Sequence, residues 1–254
     1  MHLVLKDEHH QNLLTGELLT QLHTIFTTLD KGVKCVLFTQ ESDNFCMGGQ
    51  LGDVRTQTAL DISIFAEQLL NAFTAIANSK VPTICTLKGR TNGGGICLLE
   101  AFDLSYCDES ATFSIAEIDN HMSPVLSFAG ASRTIPQKKV MEMALLGKVL
   151  TAKEGKDYGL VSDIVAPEQM DTFIQAVVDR LCSENPSSIL AIKTLKKNLS
   201  HPSRLSDYTL AALSLPQAIH NTDVFNTKNA QDQGKTPVYW VRNFQNTKST
   251  KDFR

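Results

Sequence analysis

The amino-acid sequence predicts an α/β protein, an alternating strand–helix core followed by a helical region. Short apolar, β-branched runs at 33–39 (VKCVLFT) and 81–87 (VPTICTL) read as buried strands, with stretches of helical period around them. Beyond Pro124 the strand signal fades and helix-period segments succeed one another. Strands alternating with helices, then helices alone, is the pattern of an α/β core with a helical addition. At 254 residues the chain buries enough surface for a core without disulfides or a structural metal.

In chain order, residues 2–5 alternate weakly and give a short strand. Residues 15–29 set Leu18, Leu19, Leu22, Ile25, Phe26 and Leu29 at helical spacing, with Thr15 as N-cap. The strand at 33–39 runs into a polar turn, 40–44, and a glycine-bearing segment, FCMGGQLGDV, at 45–54. A helix at 61–77 and the strand at 81–87 follow. Gly93, Gly94 and Gly95 open an apolar helix at 96–101, and 104–107 and 111–115 read as strands. Helices are expected at 138–146, 152–158, 168–182, 187–199 and 204–219. Asn185-Pro186 divides a core, 1–185, from a C-terminal region, 186–254, whose polar tail beyond Asn226 is expected to be poorly ordered at its end.

Composition narrows the function. Net charge is −3, against the basic footprint of a nucleic-acid binder. Cys35, Cys46, Cys85, Cys97, Cys107 and Cys182 never form Cys-x-x-Cys, and no Cys/His cluster has zinc spacing, so no metal or disulfide framework is expected. No apolar run approaches 18 residues, and the N-terminal segment turns polar after five residues; no membrane span or secretory signal is expected, which gives a cytoplasmic reading. Neither Gly-Lys-Ser/Thr nor Gly-x-Gly-x-x-Gly occurs, so nucleotide binding is not expected.

Two glycine turns each follow a buried strand: Met47-Gly48-Gly49 and Gly93-Gly94-Gly95. Each places backbone N–H groups near a helix start, where the dipole favours negative charge. Brought together, they make a pair of donors for a developing oxyanion. Glu117 stands in an otherwise apolar stretch, and buried carboxyls of shifted acidity tend to mark sites.

Five motifs in order carry a resemblance. These are Asn12-Leu13-Leu14, Phe45-Cys46-Met47-Gly48-Gly49, Lys88 to Gly95, Ala111 to Glu117, and Thr151-Ala152-Lys153-Glu154 with Tyr158-Gly159-Leu160-Val161. Together they resemble the crotonase superfamily (the enoyl-CoA hydratase/isomerase family) over almost the whole chain. The resemblance implies a spiral of strand–strand–helix turns and an acyl-thioester substrate, carried on coenzyme A or on the phosphopantetheine of an acyl carrier protein, with no other cofactor. It implies oxyanion donors at Gly49 and Gly94, an acid/base at Glu117, and C-terminal helices that build a homotrimer or hexamer.

Departures are visible. Cys97 occupies the position of the first of two hydratase glutamates, Pro124 is followed by Val125-Leu126-Ser127-Phe128 rather than glycines, and Gln50 stands where many members carry Asp. With Glu117 alone, isomerisation or dehydration is expected over hydration. Lys88-Gly89-x-x-Asn92 and Ala111-Thr112-Phe113-Ser114 resemble members from polyketide β-branching clusters. Two alternatives are a decarboxylase of a glutaconyl-type thioester and a non-catalytic scaffold. Gly48, Cys97 and His121 are candidate substrate contacts. His220 on a C-terminal helix, and Lys88 and Arg90 toward phosphates, are weaker candidates, since solvated charge is the default for the last two.

Overall fold

The computed structural model describes residues 1–7, 11–115, 117–120, 122–199, 209, 211–216, 219 and 222–235. Its organising unit is a strand in one sheet, an extended segment in a second sheet, and a helix. β1 (His2–Leu5), an extended bridge at Leu14 and α1 (Gly16–Thr27) make the first turn. β2 (Val36–Gln40), bridges at Cys46 and Gly49, and α2 (Ala59–Ala77) make the second. The third is β3 (Thr83–Leu87), β4 (Arg90–Asn92) and α3 (Gly94–Ala101), and the fourth β5 (Leu104–Cys107), β6 (Thr112–Ser114) and α4 (Val125–Ala131). Then come α5 (Gln137–Leu146), β7 (Leu150–Thr151), α6 (Ala152–Asp157), β8 (Asp163–Ile164), α7 (Pro167–Ser183), α8 (Pro186–Leu199) and α9 (Thr222–Asp232).

The larger sheet is parallel throughout, in the order β1-β2-β3-β5-β8. The smaller, β4-β6-β7, pairs β4 parallel and β7 antiparallel to β6. The apolar runs are explained by burial on both faces of the larger sheet. One face meets the main core, where Phe38 packs on Phe45 and Phe102 with ring centroids 6.3 and 5.2 Å away. The other face meets α7, where Ile84, Tyr106 and Ile174 are buried and Tyr106 meets Phe173 edge-on.

Local signals start the helices. Thr15 Oγ1 accepts from Leu18 N at 3.1 Å, as expected of the N-cap. Thr58 and Asp61 form a reciprocal capping box on α2. By length and composition α2 is apolar enough to cross a membrane, which the sequence reading did not anticipate. Ile62, Ala66, Leu69, Ala72, Phe73, Ala75 and Ile76 put that apolarity into the core instead.

The expected strand at 33–39 begins at Val36, and β4, β7 and β8 were not anticipated. Half of the expected helix at 204–219 lies outside the described residues, which show helix at 209, 211–216 and 219. Asn226 lies inside α9 rather than opening a tail, and residues 236–254 lie outside the described residues.

α8 begins at Pro186 and is tied to the core through Asp103, just after α3. Lys193 and Lys196 reach its carboxylate at 2.5 and 2.6 Å, and Thr83 donates from N and Oγ1. Burial pushes the Asp103 carboxyl up, and the two ammonium groups more than offset it, leaving it below the usual carboxylate range.

The joint between β3 and β4 is set by Gly89. Its φ of +65° is the left-handed region, and a Cβ there would lie 1.8 Å from Asp43 O. Gly89→Ala is therefore expected to cost about 2–5 kcal/mol of stability, combining backbone strain with overpacking. A urea midpoint unchanged from the wild type would contradict this.

Candidate active site

The first glycine turn crosses from β2 to the second sheet. Leu14 N donates to Gly48 O at 2.8 Å, and Gln50 N donates to Leu14 O at 3.0 Å. In such a parallel bridge the residue between, Gly49, turns its own N–H away from Leu14. The second turn delivers Gly94 as the first residue of α3, where the N–H has no acceptor within the helix. A Cβ on Gly94 would stand 3.7 Å from Gly49 N, and one on Gly48 would stand 3.8 Å from Gly94 N. The two amides are thus neighbours, close enough to share one oxygen.

Glu117 reaches the same place from the end of β6. Gly93 N donates to Ser114 O at 3.0 Å, and Ser114 Oγ donates to Asn92 Oδ1 at 3.1 Å, locking that end to the glycine loop. Three residues on, the Glu117 carboxyl lies against the Cα of Gly93. A Cβ there would meet Oε1 at 3.0 Å, and the φ of +54° already favours glycine. Ser127, on α4, donates its hydroxyl to Glu117 Oε1 at 2.5 Å. Oε2 is buried and accepts no hydrogen bond. Burial pushes the carboxyl above its usual range, against the smaller opposing effects of Ser127 and its own backbone amide.

These groups line a cavity of about 150 Å³. Phe65 and Leu69 of α2, Met122 and Leu126 near α4, and Leu215 and Ile219 near the C-terminus form its apolar wall, while Asn92, Asn120 and Ser123 add polar edges. Among the described lining residues, Glu117 is the only titratable side chain.

The model of the enoyl-CoA hydratase/isomerase family matches residues 1–237. The chain belongs to that family. It is similar to the peroxisomal Δ(3,5)-Δ(2,4)-dienoyl-CoA isomerase of Arabidopsis thaliana, at 26% identity over 76% of each chain. It is similar also to a putative enoyl-CoA hydratase of Thermus thermophilus, at 26% identity over 83% of this chain and 85% of that one. The crystal structure of an enoyl-CoA hydratase from Mycobacterium avium shares the fold, with a TM-score of 0.81 at 20% identity over 93% of this chain and 92% of that one. The crotonase-type spiral expected from the motifs is the observed fold, and an enzyme of the enoyl-CoA hydratase/isomerase family is the supported reading.

Within this enoyl-CoA hydratase/isomerase chain, the structure brings Gly48, Gly49, Gly94 and Glu117 together. It does not bring Cys97 to the cavity. That side chain is 1% exposed in the core, and its thiol donates to Leu126 O at 3.2 Å, so the expected substrate contact is corrected to a packed thiol behind the wall. Lys88 is half-buried and pairs with Asp43. Glu100, on α3, accepts from Thr134 Oγ1. His121 and His220 lie outside the described residues. Sequence reasoning missed Ser127; its only local signal is a hydroxyl between Leu126 and Phe128, on a helix otherwise apolar.

Proposed function

We propose that the protein acts on an acyl thioester through an enolate. The amides of Gly49 and Gly94 bind the carbonyl oxygen as charge develops on it, and Glu117 moves the proton. The observation that carries this reading is a buried carboxyl, the only one among the described lining residues, in one cavity with the two amides. In the first step Glu117 Oε2 takes the α-proton and the C–H electron pair passes to the carbonyl oxygen. Returning that proton to the γ-carbon shifts a double bond. Alternatively the enolate pair forms the Cα=Cβ bond as the Cβ–O bond breaks, and a β-hydroxyl leaves as water with the proton that Glu117 took, which is a dehydration.

Hydration needs one group to activate water and another to manage the α-proton, and each is worth about 100–10,000-fold. With Cys97 buried, Glu117 is the only titratable side chain among the described lining residues, which favours isomerisation or dehydration. The likeness of the 88–92 and 111–114 motifs to polyketide-cluster members supports testing β-branched acyl chains on an acyl carrier protein alongside coenzyme A.

The test offers 3-enoyl, 3-hydroxyacyl and crotonyl thioesters on both carriers, with products read by mass and absorbance. Turnover of a 3-enoyl or 3-hydroxyacyl thioester with slow crotonyl hydration is expected. Crotonyl hydration faster than either reaction would overturn the reading.

A further inference from the structure

Every carboxyl has two oxygens, and those of Glu117 have different surroundings. Oε1 accepts the Ser127 hydroxyl at 2.5 Å, and Oε2 is buried without a partner among the described residues. The same hydroxyl also lies 3.2 Å from Pro124 O, the acceptor one helical turn back. Ser127 itself is fully buried. Its polar group therefore has two acceptors, one that serves only the first turn of α4 and one that holds the site's single carboxyl. A carboxyl with neither oxygen held would be free to rotate about its last torsion, presenting either oxygen to substrate.

We propose that Ser127 is a positioning residue that pins Oε1 of Glu117, so that Oε2 alone exchanges a proton with the substrate. This rests on the reading of Glu117 as the acid/base and names what orients it. The hydrogen bond also favours the ionised carboxyl, acting against the burial that disfavours it. A serine donor on one oxygen thus helps keep a desolvated carboxyl ionised, and so free to accept a proton, at neutral pH.

Among the described residues that line the cavity, no other side chain titrates, and on α5, which packs against α4, Lys139 pairs with Glu142. α4 itself has no titratable side chain. On α3, Cys97 is bonded to Leu126 O and Glu100 to Thr134. In the 118–120 turn, Asp119 lies against Gly147. His121, outside the described residues, is the remaining titratable neighbour in sequence, and His121→Gln isolates its share of any pH profile.

The experiment compares Ser127→Ala and Ser127→Thr with the wild type and with His121→Gln. Two readouts are taken. The first is the Glu117 carboxyl titration, followed by infrared difference against Glu117→Gln, which needs no turnover. The second is the pH dependence of kcat and KM on whichever thioester the wild type turns over. Ser127→Ala is expected to move the Glu117 titration and the acid limb of kcat upward in pH. At neutral pH kcat should fall about tenfold, a part of the about 100–10,000-fold carried by the carboxyl itself, with KM little changed. Ser127→Thr, which keeps the hydroxyl, should restore both, as a purely structural serine would not require.

An unmoved titration in folded Ser127→Ala, or a threonine variant that behaves like alanine, overturns the proposal. Should alanine fail to fold, Ser127→Cys supplies a weaker donor, and an upward shift is expected there too; no shift overturns the proposal. A titration that shifts in a protein without thioester turnover would sink the functional reading and leave the positioning role standing.

Discussion

Glu117→Gln is expected to abolish turnover while raising the melting temperature. The amide keeps the shape of the side chain and its acceptor for Ser127 but cannot carry a proton between carbons, so kcat should fall by about 100–10,000-fold. Stability moves the other way because the folded carboxyl is held above its ordinary range by burial. The folded state then binds the proton more tightly than the unfolded state. Stability therefore falls as pH rises from the unfolded value through the folded one, and stays lower above it. Glutamine removes that penalty at neutral pH. Each kcal/mol regained should appear as about 2–4 °C in a chain of this size. The gap between variant and wild type should close at acid pH, where both are neutral. Calorimetry at two pH values and one turnover assay check all three statements. A variant that retains the native activity would move the decarboxylase reading forward, because loss of carbon dioxide leaves an enolate without any base.

Gly94→Pro should silence the enzyme by a different route. Proline removes the N–H proposed to bind the oxyanion, and loss of one such donor costs about 100–1,000-fold. Position 94 opens α3, where proline is well accommodated because its missing N–H has no helical acceptor to lose. A Cβ there meets the methyl end of Leu14 at 3.0 Å, which can swing aside, and lies in ordinary contact with Gly49 N at 3.7 Å. Unchanged far-ultraviolet circular dichroism with kcat down at least 100-fold is the expected pair of results. Full activity in a folded variant would remove Gly94 from the site.

What the sequence discloses here depends on how local each signal is. Thr15 and Pro124 punctuate the chain by their own chemistry, and the buried strands declare themselves through β-branched runs that the larger sheet covers on both faces. β4 is three residues, Arg-Thr-Asn, with no apolar alternation; only its register with Thr112, Phe113 and Ser114 makes it a strand. β7 and β8, two residues each, are strands for the same reason.

The site divides likewise. Gly49, Gly94 and Glu117 are legible because glycine turns after strands and a carboxyl among apolar residues are unusual in themselves. Ser127 is not, since its role arises from a helix folding back across ten residues onto Oε1. Cys97 misled for the converse reason: a position in a motif fixes the residue's place in the chain, and the rotation of α3 decides what it faces.

The cavity wall has one more implication. Gly49, Gly94 and Glu117 are encoded before residue 118, whereas Leu215 and Ile219, which close the apolar end, come roughly a hundred residues later. The groups proposed for the chemistry and this C-terminal part of the wall, unlike Phe65 and Leu69 between the two glycine turns, are therefore written in separate stretches of gene. Such a layout lets selection, or recombination, retailor the lining at the far end while the proton-handling apparatus is inherited intact.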